Sequence, residues 1–150
     1  KRTLEFEEKM CFKIQGHTEN ALEALIQISR MVVERINNVN PALFFDLKKH
    51  HSEAWQILEN HKWNFVLSAI SKNIDRGIEE KYYRDDLNVE IIARLYVSTF
   101  DTIMNTDVYK WPEFQFQELF KEIMRFQFHG LVNENGKNYL KNNFNNEYNV

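Results

Sequence analysis

Five histidines, one cysteine and scattered carboxylates are the groups in this 150-residue chain that could bind a metal or move protons. Asp46, His50 and Glu53 stand at i, i+4 and i+7, a spacing that gathers three ligands on one helix face. Ser52 reads as the cap of a new helix, which breaks that face, so the three are expected to be surface polar residues. His129 falls near the end of an apolar helix, where an imidazole complements the helix dipole. Cys11 has no helix N-terminus or basic cluster beside it to stabilise a thiolate, so a buried, inert thiol is expected. The run Gly130-Leu131-Val132-Asn133-Glu134-Asn135-Gly136-Lys137-Asn138 looks at first like a phosphate loop. It has one residue too many between its glycines, and Asn138 stands where Ser or Thr would hold magnesium. It follows a helix instead of a strand, and reads as a helix end and turn. No Glu-x-x-His, His-Glu-x-x-His or Gly-x-Ser-x-Gly occurs. These residues call for no catalytic group, no metal and no cofactor, and an enzyme is not expected.

A different chemistry is legible in the apolar residues. Aromatic and methionine side chains concentrate on the inner helices: Met31, Phe44, Phe45, Trp55, Trp63, Tyr96, Phe100 and Met104. Small-molecule sites between helices are lined in this way, with a few polar groups for orientation. Arg35, Ser68 and Thr99 are placed to supply those groups. The candidate ligand-binding residues are therefore Met31, Arg35, Phe44 and Trp63, together with Leu67, Tyr96, Thr99 and Phe100. Taken singly, each also fits an ordinary core.

Composition restricts the scaffold that can position them. Hydrophobic residues make up 43% of the chain, which argues against disorder. Four glycines and two prolines are too few for the many tight turns of a sandwich or barrel. A formal charge of −3 and evenly spread charges do not suit a domain that grips phosphate backbones by itself. A lone cysteine fits a reducing compartment, and the absence of a long apolar run predicts no membrane span and a cytoplasmic location.

The periodicity is helical throughout, so the expected fold class is all-α, a multi-helix bundle forming one domain over 1–150. An amphipathic helix at 1–15 precedes Gly16. A second helix spans 19–38 with Leu22, Leu25, Ile28, Met31, Val32 and Ile36 in step. Asn40-Pro41 starts a short helix to about His50. A long helix is expected from the Ser52 cap to about Tyr82. Another follows the Asn88 cap, with Leu87 placed to staple onto Ile92. Trp111-Pro112-Glu113 opens the last major helix, Gly130 and Gly136 bracket a turn, and the tail from Asn142 is expected to fray.

The last two major helices carry more apolar surface than one core stripe uses. One flank of the first has Ile91, Leu95 and Thr102. The second is crowded with Phe116, Phe120, Ile123, Met124 and Phe128. Monomers seldom expose large apolar patches, so Ile91, Leu95 and these five residues are expected to form a homodimer interface. The two helices would meet the same two from a second chain as a four-helix bundle.

The segment from Asn73 to Ala93 includes Gly77-Ile78 and then Tyr83-Arg84-Asp85-Asp86-Leu87-Asn88. It resembles the turn into the first dimer helix in the C-terminal regulatory domains of TetR/AcrR-family transcriptional repressors. Asn40-Pro41-Ala42-Leu43-Phe44-Phe45-Asp46-Leu47 is similar to that family's short helix, and Phe128-His129-Gly130-Leu131 to the end of its last helix. The resemblance covers essentially the whole chain and implies a bundle of the TetR regulatory-domain type. It also implies effector sensing and dimerisation in a bacterial repressor, with a small apolar effector shifting DNA affinity. Operator DNA would be read only by an N-terminal helix-turn-helix domain, which this sequence does not contain. The 1–15 helix would be the linker to it. The alternative is a helical homodimeric interaction module that binds no small ligand.

Overall fold

The computed structural model describes residues 2–36, 41–105, 107–110 and 113–144. Among these the chain is all-helical, and the only extended pairing is an isolated antiparallel bridge between Tyr83 and Val132. The helices are α1 (Arg2–His17), α2 (Ala21–Ile36), α3 (Pro41–His50), α4 (Ser52–His61), α5 (Leu67–Glu79), α6 (Val89–Ile103), α7 (Phe116–Leu131) and α8 (Glu134–Phe144). No helix among the described residues is long and apolar enough to cross a membrane.

The core follows from the inner faces. Leu22, Leu25 and Ile26 of α2, Ile70 and Ile74 of α5, and Ala93 and Val97 of α6 are buried together. Phe120, Met124, Phe128 and Leu131 of α7 recur at three- and four-residue steps and close this core from the other side. Asn73, buried with them, is satisfied on both sides of its amide. It donates to the Ala21 carbonyl at 2.8 Å and accepts from the Tyr83 hydroxyl at 3.0 Å. Burial also pushes the Tyr83 hydroxyl well above its ordinary pKa.

Several helix boundaries differ from the sequence reading. Ser52 is the first residue of α4 and His51 is its cap, without a side-chain bond. The helix that follows is interrupted by a π-helical turn at Lys62–Val66 and ends at Glu79 instead of Tyr82. Lys81 adopts φ 61° just beyond it, a left-handed conformation that ends the helix. Asn88 caps α6 as expected, its side chain accepting from the Ile91 N–H at 3.2 Å. The helix α7 begins at Phe116 after a turn at Glu113 and Phe114. Asn40, Thr106, Trp111 and Pro112 lie outside the described residues, as do 145–150. The tail expected to fray from Asn142 is helical to Phe144.

The two glycines expected to flank a turn are both helical, Gly130 in α7 and Gly136 in α8. The turn between them is Val132–Asn133, and it is zipped to the α5–α6 turn. The Arg84 N–H donates to the Leu131 carbonyl at 2.9 Å, and the Asn133 N–H to the Tyr82 carbonyl at 3.1 Å. The Asn133 amide donates to the Lys81 and Tyr83 carbonyls at 3.0 Å each, while its oxygen caps α8 through the Gly136 N–H. Gly77 makes this junction possible. A Cβ there would overlap the Tyr83 ring, and one on Gly136 would overlap the Tyr82 carbonyl.

Candidate functional site: a cavity between the helices

A cavity of about 560 Å³ lies inside the bundle. That volume is within the roughly 300–1,000 Å³ range of small-molecule sites. One face of α1 supplies Leu4, Glu7, Cys11 and Gln15, positions that recur at helical steps. From α2 come Ile28, Met31, Val32 and Arg35, and from α3 Phe44 and Leu47. The α4–α5 arm adds Trp55, Leu58, Lys62, Phe65 and Ala69. The far side is Tyr96, Thr99 and Phe100 of α6 with Phe120, Ile123, Met124 and Gln127 of α7. The wall is dominated by hydrocarbon and aromatic surface, and Phe44 meets Phe100 edge-on at 5.7 Å between ring centres.

The basic groups on this wall each lie against a carboxylate. Arg35 pairs with Glu7 at 2.8 Å, and its guanidinium lies over the Phe6 ring. Lys62 donates to Asp101 of α6 at 2.7 and 2.9 Å and to Glu59 at 2.6 Å. Burial pulls the Lys62 ammonium down, but its hydrogen bonds to Asp101 and Glu59 outweigh that and hold it above the ordinary lysine range. His61 lies 3.2 Å from a Glu8 oxygen and stacks on Phe65. Thr99 donates to the Leu95 carbonyl and accepts from the Gln127 amide at 2.9 Å. The Cys11 thiol is pushed up to about 11 by burial and then by Glu7, so it stays protonated at neutral pH.

The structure brings six of the candidate ligand residues to this wall: Met31, Arg35, Phe44, Tyr96, Thr99 and Phe100. Trp63 and Leu67 are not on it. Both are half-buried against the main core, and the Trp63 ring nitrogen donates to Glu59 at 3.2 Å. The wall positions Trp55, Leu58, Glu59, Lys62, Phe65, Val66, Ala69 and Ile70 on this arm recur at three- and four-residue steps, and Trp63 and Leu67 each fall one position off that face. Ser68 and Phe45 are exposed and contribute nothing to the wall. Cys11, Lys62, Phe65 and Gln127 were not singled out as wall residues in the sequence. Their common signal is position on inward helix faces, which becomes visible only when the facing helices are known.

Corrections are larger for the outer face. Phe120, Met124 and Phe128 are buried in the protomer's own core, Phe128 completely. Phe116 stacks on Phe120 at 5.8 Å and is half-buried, and Ile123 is half-buried on the cavity wall. The α7 stripe at 120, 124 and 128 thus faces inward, and a residue cannot fill the core and an intermolecular face at once. Ile91 and Leu95 do face outward, 62% and 61% exposed, and so does Phe126, 80% exposed.

Among the described residues no three His, Cys, Asp or Glu side chains gather as a metal site requires. Asp46 and His50 are on α3 and Glu53 on α4. No protein-family model matches the chain, no curated protein matches it, and no solved structure matches it.

Proposed function

We propose that this chain is an effector-binding and dimerisation domain of the kind carried by TetR-like transcriptional repressors. A small apolar molecule would occupy the cavity, and two copies would meet through α6 and α7. The observation that carries the ligand half is the 560 Å³ space walled by Met31, Phe44, Trp55, Tyr96 and Phe100. Its coupling half rests on α1, whose Leu4, Glu7, Cys11 and Gln15 form part of the same wall. The C-terminal end of α1 is held to α5, since Arg76 donates to the Gln15 and Thr18 carbonyls and pairs with Glu80 at 2.6 Å. Filling the cavity would therefore tilt α1 about that fixed end. A ligand shifts DNA affinity only insofar as it binds the two positions of α1 unequally. Contact with operator DNA would come through a DNA-reading domain joined to α1.

The dimer half rests on Ile91, Leu95 and Phe126, large apolar side chains on the outer faces of adjacent helices. These residues fit equally a homodimeric interaction module without a ligand, and one experiment separates the two. Thermal unfolding is followed with an uncharged apolar probe, in the wild type and in Ala69→Phe, which places a ring in the cavity. A ligand at ten times its Kd stabilises the folded state by about 1.4 kcal/mol. Saturable stabilisation that disappears in the variant supports the effector domain. Equal behaviour of both proteins, or no stabilisation in either, favours the ligand-free module.

A further inference from the structure

We propose that the cavity selects uncharged molecules, mostly hydrocarbon with one hydrogen-bonding end, and rejects carboxylates and ammonium ions of the same shape. This rests on the reading of the cavity as a ligand site and specifies its chemistry.

The charges on the wall carry the inference. Every basic side chain described on it lies against a carboxylate: Arg35 against Glu7, Lys62 against Asp101 and Glu59, and His61 against Glu8. On the wall itself Glu7 and Glu59 are already paired with Arg35 and Lys62, so an entering ion of either sign meets charges that have partners. A charge entering an apolar site needs a partner, or its lost hydration goes uncompensated. An anionic ligand would have to draw Arg35 off Glu7 or Lys62 off two carboxylates, stranding those acids beside itself. A cationic ligand would have to draw Glu7 or Glu59 away in the same manner. Breaking a partly buried pair to form another gains little. An alcohol, ketone or amide end makes no such demand. The Thr99–Gln127 pair, joined at 2.9 Å, lies on the wall beside Tyr96 and Phe100 and offers neutral hydrogen-bonding groups.

The probes are decan-1-ol, decanoate and decylammonium, which share one chain and differ at the head. Their dissociation constants are measured by calorimetry at pH 7.5. Decan-1-ol is expected to bind saturably, and each ion at least tenfold more weakly. Glu7→Gln leaves Arg35 without its carboxylate, so the affinity of decanoate relative to decan-1-ol should rise at least threefold there. Should that variant not fold, Arg35→Gln gives the mirror result, a gain for decylammonium. Either ion binding the wild type as tightly as the alcohol overturns the selectivity and leaves a ligand cavity in place. An unchanged affinity of decanoate relative to decan-1-ol in a folded Glu7→Gln also overturns it. Binding by none of the three overturns the ligand cavity itself.

Discussion

Lys62 shows how much one side chain does in this fold. It is a lysine with only 9% of its surface exposed, at the first position of the π-turn, and it ties that turn to Asp101 of α6. Lys62→Met should cost about 1–3 kcal/mol in urea unfolding, since Asp101 and Glu59 lose their partner. Because the folded pKa is raised, this contribution is complete below the ordinary lysine range and fades as pH climbs through the higher folded value. The gap between wild type and Lys62→Met should accordingly narrow above about pH 10.4. Cys11 gives a second prediction at this scale. Its alkylation rate should go on rising past pH 9 toward about 11, where an exposed thiol would already have levelled off. A plateau near pH 8.5 would mean that the thiol is not held in the apolar wall.

The elements divide into those that their sequence announces and those that only packing creates. Asn88 is an N-cap by residue type alone, and α6 starts where it says. The two-sided pattern of α6 was also legible, with Ala93 and Ile103 turned inward and Ile91 and Leu95 outward. The π-turn was not. Its trace is the five-residue step from Leu58 to Trp63 in the apolar stripe, which an i→i+5 turn accommodates but which also reads as a gap. The inward face of α7 is hidden in the sequence for a related reason. Phenylalanine after phenylalanine looks like surplus until α2 and α6 are in place to consume Phe120, Met124 and Phe128. The junction of the α5–α6 and α7–α8 turns depends on backbone approach, which residue patterns do not encode. Gly77→Ala should therefore lose about 1–3 kcal/mol, as Tyr83 is forced off its seat. Gly16→Ala, where an added methyl meets nothing, should be neutral or gain about 0.5 kcal/mol in the same denaturant series. Similar losses at both positions would mean that the Tyr83 contact does not hold the junction.

At the scale of the whole molecule, apolar surface is distributed between a filled core, a hollow beside it and an outer flank. Phe120 now lies in the core, so charging it would unfold the protomer and say nothing about association. Leu95→Glu and Phe126→Glu are the informative changes. Each should give a folded monomer in sedimentation, whereas the proposed interface predicts a wild-type dimer burying upward of roughly 2,000 Å². Unchanged dimer mass would put the interface elsewhere. The hollow has a sharper reporter, because Cys11 is the chain's one cysteine and stands on the cavity wall. Its alkylation rate is followed at pH 9 while decan-1-ol is added. If the cavity is the ligand site, the rate falls along a saturating curve, and the midpoint matches the dissociation constant from calorimetry. A rate that stays constant at concentrations where decan-1-ol is bound would contradict it.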